Sequence, residues 1–280
     1  MSLAEKGQRF RELHERDAAF VIPNPWDIGT ARIFAAMGFE ALATTSAGFA
    51  FGLGRQDARG AVRRDETLAH IAEIAKATDL PVSADLENGF GDAPETAAET
   101  ITLAAEAGMV GGSIEDATDD PDAPIYDFAQ AVERVAAAVE AARKVPHPFM
   151  LTARAENYLY GRPDLDDTIR RLQAFDEAGA DVLYAPGLRN IEDIRTLCSA
   201  VSRPVNVIMG IAGADISVDE LSAAGVKRIS VGSALARAAL GEVLRAATEI
   251  KENGTFNWGA RAASFAELNA FMSDRAPTAG

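Results

Sequence analysis

Cysteine is almost absent from this chain, since Cys198 is the only one among 280 residues. A single cysteine excludes a disulfide framework and a metal site built from thiolates. It fits a reducing compartment, so we expect a cytoplasmic protein. Long apolar runs are also lacking: no stretch of about 18 uncharged apolar residues occurs, and residues 1–17 have no apolar signal core. These absences predict that the protein neither spans a membrane nor carries a secretion signal.

The chain also has few basic residues relative to its acidic ones. The 27 Lys and Arg residues face 42 Asp and Glu residues, which gives a formal net charge of −15. So acidic a surface repels nucleic acid and anionic membranes, and we therefore exclude both as partners. The hydrophobic fraction of 48% argues against disorder. The length allows either one α/β barrel or two smaller domains.

Eight short apolar runs alternate with longer stretches that are rich in alanine and have apolar residues at helical spacing. The runs are typical of buried parallel strands and cover residues 20–23, 41–46, 81–87, 110–115, 149–154, 182–186, 204–209 and 228–232. About eight strand–helix units without a low-complexity linker predict one (β/α)8 TIM barrel within a single domain, residues 1–280. The alternative, a doubly wound open sheet, needs a switch-point glycine motif that the sequence lacks.

An apolar segment follows the eighth unit, at residues 256–271, and contains Trp258, Phe265, Leu268 and Phe271. Because the barrel is already complete, we predict an additional C-terminal helix from about residue 256. Two interpretations remain open for this helix. It covers the outer face of its own barrel, or it packs on a partner subunit and is exchanged between subunits.

Acidic side chains gather at the predicted carboxyl ends of the strands, where barrel enzymes have their active sites. Alternation along strand three turns Asp85 and Glu87 inward, strand four ends at Glu115, and Asp57 follows strand two. Four converging carboxylates repel one another and are costly to desolvate. A hard divalent cation would neutralise them, and oxygen ligands favour Mg²⁺ or Mn²⁺ over zinc.

The alternative to a metal is pairing of these acids with arginine. Arg154 ends strand five and faces inward beside them. Its guanidinium suits a substrate carboxylate, but it would equally neutralise Glu115. Both interpretations stay open at this point.

Further polar groups are expected at the same mouth. Ser46, Ala47 and Gly48 end strand two and offer a hydroxyl and backbone N–H groups to an oxyanion, although an ordinary turn is an equal alternative. Asn206 faces inward on strand seven and is placed to bind substrate. No lysine lies at an inward strand position and no histidine is placed for base catalysis or zinc binding, which disfavours a Schiff-base aldolase.

Taken together, these motifs resemble the isocitrate lyase/phosphoenolpyruvate mutase superfamily over residues 20–239. Residues 85–91, Asp-Leu-Glu-Asn-Gly-Phe-Gly, resemble its acidic metal motif. Residues 114–116 resemble its second acidic motif, and residues 153–156 its arginine motif. Residues 24–27 and 231–233 fit the same pattern.

The resemblance implies a metal site in which Asp85 binds Mg²⁺ directly, while Asp57, Glu87 and Glu115 act through water. Members of the superfamily typically form the enolate of pyruvate or of a close relative, and they break or make a C–C or P–C bond. Many are tetramers that exchange a terminal helix. We therefore expect a homotetramer or homodimer.

The resemblance also implies a substrate site. Arg154 and the backbone of residues 46–48 would hold an α-oxo or α-hydroxy carboxylate, and Trp26 would lie at the substrate. The lyase branch carries a Lys-x-Cys-Gly/Ser-His loop after strand four, whereas residues 117–126 contain no Cys, Lys or His. This departure argues against isocitrate or methylisocitrate lyase. The lysine and asparagine that the mutase branch uses in this loop are missing too.

Without an acid in that loop, the proton donor must be water or a nearby tyrosine, for which Tyr126, Tyr158 and Tyr160 are the candidates. The leading hypothesis is a Mg²⁺-dependent lyase that cleaves a C–C bond by decarboxylation or retro-aldol cleavage, through an enolate. The second is phosphonate chemistry, by a phosphonomutase or a carboxyphosphonate-processing enzyme, which the acidic loop disfavours. The third is a non-catalytic metabolite-binding or assembly protein, which would not require the acidic cluster.

Overall fold

Eight short parallel strands surround the centre of the molecule in the computed structural model, which describes residues 1–57, 60–118 and 120–273. In chain order the strands are β1 Phe20–Ile22, β2 Leu42–Ala43, β3 Val82–Asp85, β4 Gly111–Glu115, β5 Met150–Arg154, β6 Val182–Tyr184, β7 Val205–Ile208 and β8 Arg228–Ser230. Each neighbouring pair in the order β1-β8-β7-β6-β5-β4-β3-β2 is parallel. A hydrogen bond of 3.1 Å from the Ala43 N–H to the Pro23 carbonyl links β2 to the end of β1. The sheet is thus a nearly closed barrel, as the sequence predicts.

Helices connect the strands and pack around the barrel. They are α1 Leu3–Glu15, α2 Ile28–Ala36, α3 Ser46–Gly52, α4 Arg64–Lys76, α5 Pro94–Glu106, α6 Phe128–Lys144, α7 Leu165–Glu177, α8 Ile191–Ala200, α9 Val218–Ala223, α10 Ala234–Asn253 and α11 Phe265–Met272. Several begin at a side-chain cap, as where Asp27 accepts a hydrogen bond from the Thr30 N–H at the start of α2. Within the described ranges, no helix combines the length and the apolar character needed to cross a membrane.

The main core lies between the strands and these helices. Ile71, Ile101, Leu151 and Phe175 are fully buried there, and each such side chain contributes about 1.5–3 kcal/mol by leaving water.

A smaller cluster closes the amino-terminal end of the barrel, where Phe10 of α1 packs against the first residues of several strands. A Cβ atom on Gly111 would lie 2.8 Å from the Phe10 ring. Because Gly111 has no side chain, helix α1 can seat Phe10 against the bottom of the barrel.

The C-terminal segment forms a short 3₁₀ turn, Asn257–Arg261, and helix α11. Helix α11 packs on α2 of the same chain, with the Arg32 Nη1 atom donating a hydrogen bond of 2.7 Å to the Met272 carbonyl. The additional helix that the sequence predicts is therefore present and covers part of its own barrel. Its apolar residues remain largely outside the core, and Phe265 is 87% exposed.

The observed strands are shorter than the predicted runs, and two of these differences affect the site. Strand β2 ends at Ala43, because the Thr45 side chain accepts a hydrogen bond from the Gly48 N–H and starts α3 at Ser46. Ser46, Ala47 and Gly48 therefore form the first turn of a helix rather than the end of a strand. Strand β3 ends at Asp85, two residues earlier than predicted.

Candidate active site

Two cavities at the carboxyl ends of the strands share Ser46, Asp57 and Arg154 in their walls. The outer cavity has a volume of about 510 Å³ and the inner cavity about 180 Å³. Among the residues that the structure describes, five carboxylates line the outer cavity, from Asp57, Glu87, Glu115, Asp120 and Glu156. The inner cavity is lined mainly by hydroxyl and amide side chains, from Thr44, Ser83, Ser113, Ser230, Asn24 and Asn206, together with Asp85, Tyr184 and Arg228. The sequence-predicted acids therefore surround one mouth.

Arg154 lies at the centre of the acids. Its Nη1 atom is 3.0 Å from Asp85 Oδ1, its Nη2 atom is 2.9 Å from Glu115 Oε2, and its Nε atom is 2.8 Å from Glu156 Oε1. Strand register produces this convergence, because Arg154 pairs with Glu115 across β5 and β4, while Asp85 ends β3 beside them. The structure thus has the arginine pairing that the sequence leaves as an alternative to a metal.

One guanidinium does not balance this much negative charge. Burial raises the pKa of the Glu115 carboxyl well above its usual range, because the charge on Arg154 only partly opposes the burial and the other carboxylates add to it. Burial likewise raises the pKa of Glu156. Burial alone would lower the pKa of Arg154, but its acidic neighbours raise it well above its ordinary value. The cluster therefore has an affinity for further positive charge.

The first turn of α3 holds Asp85 from the other side. Asp85 Oδ2 accepts a hydrogen bond of 3.0 Å from the Ser46 N–H. The Gly48 N–H is bonded to the Thr45 hydroxyl, and Gly48 is buried outside the cavity walls. The Ala47 N–H has no hydrogen-bond partner in the described part of the chain, and Ala47 lines the inner cavity. Of the three amides predicted to face an oxyanion, that of Ala47 is the one available.

Glu87 lines the outer cavity, but not because side chains alternate along a strand. It lies beyond the end of β3 with a φ angle of +50°, in the left-handed region that costs a residue with a side chain about 1–3 kcal/mol. Gly89, with a φ angle of +83°, completes the turn. The prediction of an inward strand position is wrong for Glu87, although its side chain still lines the cavity with Asp57.

Three residues at the site have no role in the sequence-based prediction. Glu156 follows Arg154, and its backbone N–H donates a hydrogen bond of 2.7 Å to the buried Asp116 carboxylate. Tyr184 ends β6, with its ring centre 5.2 Å from the Arg154 guanidinium carbon, and burial raises its pKa to about 12. Arg228 lines the inner cavity. The sequence could have indicated Glu156, because it belongs to the arginine motif at residues 153–156. Arg228 is the first residue of β8, and no motif marks it as a site residue.

Asn206 lines the inner cavity, as predicted, but its amide is already engaged. Its Oδ1 atom accepts a hydrogen bond of 2.8 Å from Arg228 Nε, and its Nδ2 atom donates one of 3.0 Å to the Ser230 hydroxyl. In this structure Asn206 therefore supports Arg228 and Ser230.

The three candidate tyrosines lie in different surroundings. Tyr160 lines the outer cavity, and burial, followed by the charges of Glu115 and Glu156, raises its pKa above the usual range. Tyr126 is buried outside both cavity walls and donates a hydrogen bond of 2.7 Å to Asp92. Tyr158 packs against Gly187, also outside these walls.

Trp26, predicted at the substrate, packs behind Gly48, where an added Cβ atom would lie 2.9 Å from the Trp26 Cβ. It does not line either cavity, because the first turn of α3 lies between. Of the predicted aromatic side chains, Tyr160 is the one that the structure brings to the cavity wall.

The donor set fits magnesium in its chemistry. Its potential ligands are carboxylate oxygens, which hard divalent cations prefer, and their negative charge exceeds the charge of Arg154. Among the described residues, no three acidic, histidine or cysteine side chains are grouped in a metal-binding arrangement. The guanidinium of Arg154 lies between Asp85 and Glu115 and keeps them apart. Asp85, Asp57, Glu87 and Glu115 are the residues that would hold the ion.

Known proteins match nearly the whole chain. The phosphoenolpyruvate phosphomutase family model matches residues 10–251, a range that contains every strand of the barrel. The 2-methylisocitrate lyase of Escherichia coli is 29% identical over 81% of this chain and 78% of its own.

Solved structures match in the same way. The crystal structure of a provisionally named lyase/mutase from Burkholderia cenocepacia is 60% identical, with a TM-score of 0.95, and the match covers 98% of this chain and 99% of that one. The structure of a 2,3-dimethylmalate lyase is 25% identical, with a TM-score of 0.84 over 96% of this chain and 94% of that one.

Proposed function

Because the chain belongs to the phosphoenolpyruvate phosphomutase family, within the isocitrate lyase/phosphoenolpyruvate mutase superfamily, we propose that it breaks a C–C bond of a small α-oxo or α-hydroxy carboxylate. Its relatives are lyases or mutases, so the chain is an enzyme. Magnesium dependence is typical of this family. The observation that carries the proposal is the ring of carboxylates around Arg154 at the barrel mouth.

Asp85 is the proposed direct ligand of Mg²⁺, with Asp57, Glu87 and Glu115 contributing through water. Bound magnesium would supply positive charge that polarises the oxo or hydroxy oxygen of the substrate. Asp85 already orients the first turn of α3 by accepting the Ser46 N–H. The residue that would bind the metal therefore also positions the turn whose Ala47 N–H faces the substrate.

The residues of the chain have separate tasks in the reaction. The Ala47 N–H and the Ser46 hydroxyl donate to substrate oxygens at the border of the two cavities. In the decarboxylation of oxaloacetate, the bond from C3 to the departing carboxylate breaks, carbon dioxide leaves, the electron pair moves into the forming enolate, and C3 then takes up a proton. Tyr160 is the candidate tyrosine whose phenol lines the outer cavity, so we assign it as the proton donor.

C–C cleavage is favoured over phosphonate chemistry by the charge of the outer cavity. A phosphonate group would bring about two negative charges against five carboxylates and a guanidinium that already contacts three of them. Decarboxylation of oxaloacetate demands least of the proton donor, because carbon dioxide leaves without protonation. Oxaloacetate is therefore the first substrate to test.

The test is Mg²⁺-dependent release of a 2-oxo acid from oxaloacetate, alkylmalates, methylisocitrate and phosphonopyruvate, with EDTA as the control. We expect turnover of an oxaloacetate- or malate-type substrate and none in EDTA. Turnover of phosphonopyruvate alone would establish the phosphonate alternative. No turnover with any member of the panel, together with no binding of oxalate, would contradict the enzyme assignment at this site.

We further propose a homodimer or homotetramer. Family enzymes are typically oligomeric, and the last helices of this chain expose an apolar surface: Val243 is 61% exposed, Leu244 69% and Phe256 68%. Light scattering should give a mass of two or four chains, and Leu244→Asp should reduce it. Val218→Asp, at an exposed apolar residue of α9, is the matched control. A wild-type mass equal to one chain contradicts the proposal.

A further inference from the structure

Arg134 of helix α6 is a buried arginine whose hydrogen bonds go to backbone carbonyls rather than to a carboxylate. Its side chain is 1% exposed. The Nη1 atom donates a hydrogen bond of 2.7 Å to the Gly91 carbonyl and another to the Asp92 carbonyl, and the Nη2 atom donates to the Asn88 carbonyl. Burying a guanidinium among neutral acceptors is costly. All three acceptors belong to the turn after β3, so Arg134 holds this one turn.

The turn has a backbone conformation that needs such support. Glu87, Gly89 and Phe90 have φ angles of +50°, +83° and +64°. Left-handed conformations are strained for residues other than glycine and persist where the surroundings fix them. Buried carbonyls also need hydrogen-bond partners, and side chains supply them here, since the Thr100 hydroxyl donates a hydrogen bond of 2.8 Å to the Gly89 carbonyl. Arg134 and Thr100 therefore stabilise the turn from the helices behind it.

The same turn forms part of the wall of the outer cavity. Glu87 and Asn88 line that cavity, whereas Arg134 lines neither cavity at the mouth. The carbonyl of Asn88, the residue directly after Glu87, is bound by Arg134. The Glu87 carbonyl accepts a hydrogen bond of 3.0 Å from the Glu115 N–H. The backbone that carries the Glu87 side chain is therefore fixed by β4 on one side and by Arg134 on the other.

Tyr126 connects Arg134 to the loop after β4. The centre of its ring lies 4.3 Å from the Arg134 guanidinium carbon, within the range of a cation–π contact. The Tyr126 hydroxyl accepts a hydrogen bond of 3.3 Å from Asn88 Nδ2 and donates one of 2.7 Å to Asp92 Oδ1. Arg134 and Tyr126 thus join two segments that both contribute to the outer cavity wall.

We propose that Arg134 is a positioning residue, which fixes the turn at residues 87–92 and thereby places the Glu87 carboxylate at the barrel mouth. The inference rests on the proposed function, in which Glu87 contributes to a Mg²⁺ site through water. Arg134 acts on that site from behind the cavity wall and does not contact the substrate.

The sign of the change in Mg²⁺ affinity separates positioning from a simple effect of charge. Loss of a positive charge near a cation site strengthens cation binding, whereas loss of a group that orients a ligand weakens it, typically 10- to 100-fold. We therefore expect calorimetry on the full chain to show Mg²⁺ binding about 10- to 100-fold weaker in Arg134→Gln. Arg134→Lys, which keeps the charge and three N–H donors, should recover part of the loss.

Arg143→Gln is the matched control, because it removes a charge from the same helix at a residue that pairs with Asp181. It should leave Mg²⁺ binding unchanged. Glu87→Gln tests whether Arg134 acts through Glu87. If it does, Glu87→Gln alone weakens Mg²⁺ binding, and adding Arg134→Gln has little further effect. Losses that add in the double variant overturn the inference.

Hydrogen exchange gives a readout that needs neither metal nor turnover. The Gly89 N–H donates to the Leu86 carbonyl and the Phe90 N–H to Asn88 Oδ1, so both amides should exchange faster in Arg134→Gln than in the wild type. If Arg134→Gln does not fold, Tyr126→Phe, which removes the hydroxyl bonded to this turn, should weaken Mg²⁺ binding in the same direction but less.

Equal or tighter Mg²⁺ binding by a folded Arg134→Gln variant overturns the inference, while turnover by the wild type would leave the proposed function intact. For the case in which Arg134→Gln does not fold, unchanged Mg²⁺ binding by Tyr126→Phe overturns it. Mg²⁺ binding that depends on Arg134 in a protein that turns over no member of the substrate panel supports the inference and contradicts the proposed function.

Discussion

Arg154 and Arg228 both lie inside the barrel, in opposite surroundings: Arg154 is half-buried near the mouth, and Arg228 is buried at a deeper level. Arg154 contacts three carboxylates within 3.0 Å, whereas Arg228 contacts an amide, a hydroxyl and a neutral imidazole. The acids raise the pKa of Arg154 above its ordinary value, and burial lowers that of Arg228 to about 10. The difference shows that the same residue type pairs with protein acids at one level of the barrel and is held by neutral groups at another.

The largest effect is expected from removing each arginine in turn. Arg154→Met leaves Asp85, Glu115 and Glu156 without their common partner, so unfolding free energy should fall by about 3–5 kcal/mol. Arg228→Met leaves no carboxylate unpaired and should cost clearly less. Urea denaturation of both variants measures the difference. Equal losses would remove the distinction between the two arginines.

The next largest effect concerns activity at the mouth. Asp85→Ala should lower kcat/KM on the order of 10³-fold, because Asp85 is the proposed direct metal ligand and accepts the Ser46 N–H. Circular dichroism should show an intact fold. Asp79→Ala is the control, because Asp79 is an exposed acid that precedes β3, pairs with the amine of Met1 and lies at the opposite end of that strand from Asp85. Retained activity of Asp85→Ala would refute the metal role.

A smaller effect is expected from the proposed proton donor. Tyr160→Phe should lower kcat about 100-fold while changing KM little, because the phenol lines the outer cavity. Tyr158→Phe is the matched control, since Tyr158 lies outside the cavity walls. Equal effects of the two substitutions would leave water as the donor.

The smallest effect concerns the neutral neighbour of Arg228. His14 has a pKa of about 3 in the folded chain, against an ordinary value of 6.5, so below about pH 6.5 the unfolded chain binds a proton that the folded chain does not. Stability is therefore lost as pH falls from 6.5 towards 3, by at most about 1.4 kcal/mol per pH unit from this group. Urea denaturation at pH 7 and pH 5 should show a weaker pH dependence for His14→Gln than for the wild type.

Sequence alone predicts both the barrel and part of its site, because both follow from identifying the parallel strands. Parallel strands end at one edge, so Asp85, Glu115 and Arg154 converge once the strands are identified. Alternation fails at Glu87 because the backbone turns into a left-handed conformation after Asp85. Strand alternation also fails to describe Ser46, because Thr45 caps a helix that begins at Ser46.

The role of Arg228 depends on contacts that no local pattern contains. Its neighbours Thr152 and Asn206 come from two other strands, and His14 comes from the first helix, more than 200 residues away. Nothing in the residues around position 228 indicates that its charge remains unpaired. Likewise, the position of Tyr160 beside the acids and of Tyr126 away from them follows from loop packing.

The packing of Phe10 against Gly111 at the bottom of the barrel has a kinetic consequence. This end is closed by fully buried side chains, so a ligand in the inner cavity enters and leaves through the outer one. The fragment bound in the inner cavity would then be the last to depart. Product release would be ordered, and the 2-oxo acid would compete with substrate for the free enzyme, whereas the fragment released first would not.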